Sequence, residues 1–313
     1  MALPTINFER HSESAASEKD VAGRTSTLVS VAVNVLLTAL QIVTGIFSGS
    51  QALIADGIHS LADLVSDFVV LFAGHHSKKA ADADHAYGHR RYENAATLVL
   101  GGLLLAVGVG MLWTALGKIR APQSVQPVHI IALWVALTTL VAKEMLFRYM
   151  RAIAARLRSS MLMANAWHAR SDAASSLVVA IGIGGNLLGV ALLDPIAAMV
   201  VGLMVLKMGW TFGRTALQDL MDRAVSEEEA SAIQATLLAT PGVLGIHDMR
   251  TRKMGDLTIV DVHLDINAHQ TVAEGHAIAV EARRRAMAQH DVLDVMTHVD
   301  PAYPQAGKDG SGD

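Results

Sequence analysis

Long apolar stretches dominate the first two thirds of the chain. A helix needs about 20 mostly apolar residues to cross a bilayer. Six stretches fit this length, the fourth after some extension, and we predict membrane-spanning helices at 27–48, 52–74, 95–116, 130–142, 161–188 and 195–212. The pattern therefore predicts an all-α membrane domain, a bundle of six transmembrane helices.

The hydrophobic pattern changes after about Arg214. Ser226 precedes Glu229 by three positions, the spacing of a capping box, and predicts the start of a helix. Apolar and polar residues then alternate over 260–266 and again over 293–299, which is typical of half-buried strands, and 272–289 has a helical pattern. The order helix, strand, strand, helix, strand (αββαβ) predicts a small α+β domain with its helices on one face of the sheet.

The two ends of the chain differ from these domains. Residues 1–26 are polar and lack the apolar stretch of a secretory signal, so we expect a cytoplasmic tail that is ordered only near its end. The last dozen residues are rich in Gly, Pro and Asp, and we expect them to be disordered. The predicted divisions are 1–26 for the tail, 27–215 for the membrane domain, 216–301 for the cytoplasmic domain and 302–313 for the disordered end.

Basic residues in the loops predict the orientation of the bundle, because cytoplasmic loops are enriched in Lys and Arg. The loops after the second and fourth spans are the basic ones, with Lys78, Lys79, Arg90, Arg91, Arg148, Arg151, Arg156 and Arg158. The loops after the first and fifth spans carry no Lys or Arg, and the loop after the third carries two. We therefore expect a multi-pass protein of the inner membrane with both termini in the cytoplasm.

Composition narrows the class of protein further. Of 313 residues, 52% are hydrophobic and 17% are charged, against about 25% charged in soluble proteins. This composition argues against an ordinary cytosolic enzyme. The net charge of −4 provides no basic field for nucleic acid. The chain has no cysteine, so a metal would be bound by nitrogen and oxygen atoms.

Ionisable residues lie within two of the predicted spans. His59 and Asp63 are four residues apart in the second span, and His168 and Asp172 have the same spacing in the fifth. Residues four apart share one face of a helix, so two facing helices would supply the two imidazoles and two carboxylates of a tetrahedral Zn²⁺ site. The alternative is that the pairs only hold helices together as polar contacts. An ionisable residue inside a membrane is a functional candidate by default, which favours the metal site.

Two further acids extend this stripe on the second span by one turn in each direction. Asp56 is a candidate for supporting the metal ligands, and Asp67 for lining the cytoplasmic approach to them. Both are equally well explained as residues at a wet end of the helix, and the sequence leaves these alternatives open.

Four segments together resemble the cation diffusion facilitator family, which exchanges metal cations for protons. They are Ala-Asp-Gly-Ile-His-Ser-Leu-Ala-Asp at 55–63, Asp-Ala-Asp-His-Ala-Tyr-Gly-His at 82–89, Trp-His-Ala-Arg-Ser-Asp at 167–172 and Leu-Met-Asp-Arg-Ala at 220–224. The resemblance covers about 27–301 and is close to bacterial zinc and ferrous-iron efflux members. It implies a transporter rather than an enzyme, a homodimer, and a transport site at His59, Asp63, His168 and Asp172.

The resemblance also implies a metal site in the loop after the second span. Asp82, His85 and His89 are spaced three and four residues apart, so a tight loop could bring them together. Without the family, a solvated loop with scattered histidines explains them better, since polar residues are common on surfaces. The family places a single metal ion here.

A third site is implied in the soluble domain. His298 and Asp300 lie two apart in a predicted strand and so face the same side, and His263 lies on the polar side of its own strand. The family has a binuclear site here, and its ligand positions match His247, His263, His276, His298 and Asp300, with Asp300 as the bridge. The resemblance further implies that Arg91 and Asp222 form a charge pair that ties two protomers together near the membrane.

The metal itself is inferred from the membrane ligands. The iron and zinc members carry aspartate at the position of His59, and an imidazole in its place favours Zn²⁺ over the harder Mn²⁺. We expect a Zn²⁺/proton antiporter that exports metal from the cytoplasm by alternating access. The alternatives are an exporter of Fe²⁺, Cd²⁺, Co²⁺ or Mn²⁺ and a non-transporting metal sensor. An intramembrane metallohydrolase is disfavoured because no H-E-x-x-H motif occurs.

Overall fold

A computed structural model describes residues 7–77, 79–125, 127–157 and 160–303. Residues 1–6 of the expected tail, and 304–313 of the expected disordered end, lie outside this part of the chain. Contacts divide the chain into two compact units. The first consists of residues up to Val69 together with Leu100–Thr211, and the second of Val70–Val99 together with the chain from Phe212 onward.

The described residues contain six long helices before the soluble domain. They are α1 (Asn7–Ser48), α2 (Gln51–Ser77), α3 (Arg91–Arg120), α4 (Ile131–Leu157), α5 (Ser160–Leu187) and α6 (Leu193–Leu220). Each predicted span corresponds to one of them, and a short 3-10 turn at Pro122–Ser124 follows α3. Helix α1 begins at Asn7, well inside the segment that we expected to be ordered only near its end.

Four of these helices are long and apolar enough to cross a membrane over the described residues, namely Leu28–Ser48, Gln51–Gly74, Arg91–Arg120 and Leu193–Leu220. Helices α4 and α5 fall outside this group because their apolar stretches are interrupted. Helix α4 contains Lys143 and Glu144, and α5 contains His168, Arg170 and Asp172. Charged residues therefore interrupt the apolar sequence of α4 and α5.

Helices α1 and α2 approach each other closely. A Cβ atom placed on Gly57 of α2 would lie 2.6 Å from the side chain of Ile42 in α1, so glycine is required for this packing. The approach brings the polar stripe of α2 next to a buried glutamine of α1, Gln41.

The soluble domain has the predicted αββαβ order. It consists of α7 (Glu227–Leu238), β1 (Val243–Met254), β2 (Leu257–Asn267), α8 (Val272–Gln289) and β3 (Val292–Ala302). The sheet order is β1-β2-β3; β1 and β2 pair antiparallel, and β2 and β3 pair parallel. Parallel neighbours need a long crossover, which α8 supplies. The predicted fold class is confirmed.

The two helices of this domain have side-chain caps. The Ser226 hydroxyl accepts from the Glu229 amide at 3.2 Å, which is one half of the predicted capping box. The complete capping box occurs on α8, where Thr271 and Glu274 bond reciprocally. Hydrogen bonds from Thr271 hold the pKa of Glu274 below its usual range. These caps satisfy amides that the first turn of a helix leaves unpaired.

Alternation in β2 separates the core from a polar face. Val260, Val262, Leu264 and Ile266 are buried against α7 and α8, while the residues between them, including His263, point to the opposite side of the sheet. The helices therefore cover one face only, and the other face carries the histidines.

Two adjacent leucines of α7 provide a test of this core. Leu237 is fully buried and Leu238 is 48% exposed. We expect Leu237→Ala to lower the free energy of unfolding of the soluble domain by about 2–5 kcal/mol, since it leaves a cavity. Leu238→Ala should change it by less than about 1 kcal/mol. Denaturant unfolding of both variants measures the difference, and equal effects would contradict this packing.

Candidate metal sites

Three of the four predicted membrane ligands come together between α2 and α5. Donor atoms of His59, Asp63 and Asp172 all lie within 4.8 Å of one another. His59 Nε2 is 3.9 Å from an Asp63 carboxylate oxygen, and His168 Nε2 is 3.9 Å from one of Asp172. The side chain of His168 is 60% exposed. The fourth predicted ligand thus lies one turn from Asp172, at the edge of the group.

The donor set suits a small divalent ion. Zn²⁺ binds imidazole nitrogen and carboxylate oxygen at about 2.0–2.2 Å, so ligation would draw these atoms slightly closer together. His59 Nδ1 is buried and has no hydrogen-bond partner among the described residues. Buried polar atoms are normally satisfied, so this nitrogen has an unused capacity for a proton or an ion.

Asp56, one turn from His59, is fully buried and has several partners of its own. Its carboxylate accepts from the side chains of Gln41, Ser175 and Ser176, the last two at 3.0 and 2.7 Å. Lys143 Nζ lies 3.8 Å away. Asp56 therefore does not lie at a wet helix end. Asp67, at the other end of the stripe, is exposed.

The loop between α2 and α3 brings its three predicted ligands together. Asp82 Oδ1 is 3.2 Å from His85 Nδ1, and Asp82 Oδ2 is 3.4 Å from His89 Nε2. His89 is buried. Lys79 Nζ donates to Asp82 at 2.7 Å, and this hydrogen bond holds the pKa of Asp82 well below its usual range. The carboxylate is ionised and shared between a lysine and two imidazoles.

Strand register creates the third cluster on the polar face of the sheet. His247 pairs with His263 across β1 and β2, and His263 pairs with His298 across β2 and β3. The three imidazoles form a row, and Asp300 lies 3.2 Å from His247, 2.8 Å from His263 and 3.2 Å from His298. The hydrogen bond with His263 lowers the pKa of Asp300. A carboxylate touching three imidazoles is placed as a bridging ligand would be.

Among the described residues, His276 is not in the compact donor group of this face, which holds His247, His263 and Asp300. It is exposed on α8, whose Ala279 and Ala282 pack on the apolar face of the sheet, opposite the histidines. Its assignment as a ligand stays a prediction.

Two charged residues at these sites were not predicted from the sequence. Asp265 Oδ1 lies 3.4 Å from His247 Nδ1; its position two residues after His263, on the same side of the strand, was the available signal. Lys143 was missed because the predicted fourth span ended at residue 142, immediately before it.

Arg91 and Asp222 form their predicted charge pair within one chain. Arg91 Nη2 donates to Asp222, and Nη1 donates to the Leu220 carbonyl at 3.3 Å. Both side chains are about half exposed, and exposed pairs contribute about 0–1 kcal/mol. Its role between protomers stays a prediction.

The membrane domain is helical, has carboxylates and imidazoles between its helices, and is followed by an αββαβ domain. These features are typical of a multi-pass membrane protein that transports divalent metals. The chain belongs to the cation efflux (cation diffusion facilitator) family. Residues 27–221 match the cation efflux transmembrane domain, and 225–302 match the cytoplasmic, dimerising domain of cation efflux proteins. The members are transporters, so the prediction that the chain is not an enzyme is confirmed.

Relatives extend over most of the chain. Metal tolerance protein C1 of Arabidopsis thaliana is 34% identical over 284 residues, covering 86% of this chain and 60% of that protein. The manganese efflux system protein MneS of Bacillus subtilis is 31% identical over 279 residues, covering 89% of this chain and 96% of that one. The metal-bound C-terminal domain of the CzcD transporter from Thermotoga maritima is 25% identical with a TM-score of 0.23, covering 25% of this chain and 94% of that domain.

The contact between Asp265 and His247 leads to a test on metal binding. A carboxylate on one imidazole nitrogen fixes the ring so that the other nitrogen faces the metal, and losing such a partner typically lowers affinity 10–100-fold. We expect Asp265→Asn to weaken Zn²⁺ binding at the sheet cluster by about tenfold or more, measured by calorimetric titration. Asp256→Asn, in the exposed β1–β2 turn, is the control, and equal affinities in the two variants would contradict the assignment.

Proposed function

We propose that the protein exports Zn²⁺ from the cytoplasm in exchange for protons. The observation that carries this proposal is the convergence of His59, Asp63 and Asp172 within 4.8 Å between two membrane helices. Ionisable residues inside a membrane typically mark ion pathways. We take His168 as the fourth ligand, because one turn of helix separates it from Asp172.

Proton exchange follows from the chemistry of these ligands. Imidazole and carboxylate bind a metal only when they are deprotonated, so metal binding releases protons. Zn²⁺ entering from the cytoplasm displaces protons from the four side chains. After the helices reorient, protons on the far side compete for the same atoms and release the metal. The proton gradient then drives export.

The soluble domain supplies a second role for metal. The row of His247, His263 and His298 on Asp300 offers nitrogen and oxygen donors to Zn²⁺. We propose that zinc at this row, joined by His276, and at the loop site of Asp82, His85 and His89 stabilises the homodimer when cytoplasmic zinc is high. Coupling between such sites and the transport site would be reciprocal.

The orientation follows from the basic loops. Lys79 and Arg90 lie in the segment between α2 and α3, and basic loops remain in the cytoplasm. We propose an inner-membrane protein with both termini in the cytoplasm and the α2–α3 loop on the same side as the soluble domain.

A second candidate cargo is Mn²⁺. Two relatives of this chain, at 31% and 32% identity, are manganese efflux system proteins of Bacillus subtilis. The imidazole of His59 favours Zn²⁺ over this harder ion. The two candidates use the same site and differ in selectivity.

The transport site can be tested by removing one carboxylate. We expect Asp63→Ala to abolish proton-driven ⁶⁵Zn uptake into inverted vesicles, because the ion loses an anionic ligand and the site loses a proton acceptor. Asp84→Ala, in the neighbouring loop and outside the three donor groups, is the control and should transport like the parent. Full uptake by Asp63→Ala would mean that the site lies elsewhere.

Selectivity can be tested at the imidazole of α2. We expect His59→Asp to shift preference toward Mn²⁺ by about tenfold or more, because a carboxylate suits the harder ion. The measurement is ⁶⁵Zn uptake in the presence of increasing Mn²⁺, in the parent and the variant. Stronger inhibition by Mn²⁺ in the parent than in the variant would contradict the zinc assignment.

A further inference from the structure

The polar stripe of α2 is buried to different extents along its length. The Asp56 side chain is 1% exposed, that of His59 is 7% and that of Asp63 is 15%. Asp67, next along the same face, is exposed. The exposure of this stripe rises steadily toward the end of α2 that leads into the α2–α3 loop.

The exposure of polar side chains on α5 changes in the same way, but it falls along the chain where that of α2 rises. The His168 side chain is 60% exposed and that of Asp172 is 14%, while Ser175 and Ser176 are fully buried. Ser175 and Ser176 bond to Asp56, and Asp172 lies with His59 and Asp63. The group of metal ligands is thus open at the level of His168 and Asp67 and closed at the level of Asp56.

The closed level is a network that joins four helices, and we call it the Asp56 network. Asp56 of α2 accepts from Gln41 of α1 and from the two serines of α5, and it pairs with Lys143 of α4. Lys143 Nζ also donates to Ser60 Oγ at 3.1 Å, beside the metal ligand His59. The Gln41 and Lys143 side chains are buried as well.

This network already engages most of the Asp56 carboxylate. A carboxylate has about four acceptor sites, three of which accept from Gln41, Ser175 and Ser176, and the ammonium group of Lys143 lies 3.8 Å away as a counter-charge. A divalent cation passing this level would meet a resident positive charge and would have to displace it. The network therefore obstructs the path both by packing and by charge.

We propose that the Asp56 network is the closed gate on the exit side of the transport path, and that metal leaves only when Asp56 and Lys143 separate. This inference rests on the proposed function, because a gate presupposes a path. It assigns Asp56, Lys143, Gln41, Ser175 and Ser176 as positioning and gating residues, distinct from the ligands.

The absence of cysteine in the chain makes a direct test possible. Ala52 is fully buried and lies four residues before Asp56 on the same face of α2. Ala52→Cys should react slowly with a membrane-impermeant methanethiosulfonate applied on the side of the α2–α3 loop, because the reagent must pass the level of Asp56 to reach it. Adding Asp56→Asn and Lys143→Met together removes both charges and should raise the labelling rate at least tenfold.

Two further variants complete the labelling test. Lys207→Met removes the exposed lysine of α6, outside the network, and should leave the labelling rate of Ala52→Cys unchanged. Ser175→Ala with Ser176→Ala removes two donors and keeps the ion pair, so it should raise the rate about threefold even if the charge variant folds poorly. If both gate variants labelled at the same rate as Ala52→Cys alone, the proposed gate would be wrong.

The outcome separates the gate from the transport activity. Labelling reports access to Ala52 without any metal movement. If the parent failed to transport any divalent metal while the gate variants still labelled faster, the proposed function would fail and the closed barrier would stand. The other outcome is that the parent transports zinc and the gate variants equal it in labelling rate and in ⁶⁵Zn accumulation. In that case the proposed function would stand and only the gate would be wrong. A true gate variant should accumulate at least fivefold less zinc, because the ion can leak back.

Discussion

A carboxylate among apolar helices needs a counter-charge or a full set of donors, because an isolated charge in the bilayer interior costs about 2.5–3.5 kcal/mol. Helix α2 solves this problem in two ways, at carboxylates about two turns apart. Asp56 is satisfied by hydroxyl, amide and ammonium groups of the protein itself. Asp63 instead faces His59 at 3.9 Å, which is too long for a hydrogen bond. A tie between helices and the proposed ion site therefore arise from the same requirement.

Helical periodicity keeps these two levels aligned. Asp56, His59 and Asp63 lie at spacings of three and four on α2, and Asp172 and Ser176 are four apart on α5, so both levels share one interface. A rotation of α2 that moved Asp56 away from its donors would also move His59 and Asp63 away from Asp172. The tie between helices and the geometry of the candidate ligands are for this reason mechanically linked, so in the proposed mechanism a reorientation that releases the metal also breaks contacts of Asp56.

In the soluble domain, strand alternation places the core residues and the candidate metal ligands on opposite faces of the sheet. Val262 and Leu264 pack against the helices, and His263 between them faces away. Because the register aligns His247, His263 and His298, metal at this row would link three strands without disturbing the apolar core. The side chains that form the core are thus different from those that could bind metal, which suits the proposed regulatory role.

The sequence predicted whatever depends on local periodicity. The six long helices follow from the lengths of the apolar stretches, and the αββαβ order and the pairs His59–Asp63 and Asp82–His85 follow from spacings of two, three or four residues. The partners of Asp56 could not be predicted in this way, since Gln41, Lys143 and Ser176 lie 15 to 120 positions away and meet it only through helix packing. Lys143 was hidden further by its place just beyond an apolar run, where a lysine usually marks the end of a span. In a membrane protein, a lysine at that position predicts an acidic residue at the same depth on another helix. Burying either charge alone is costly, and pairing the two lowers that cost.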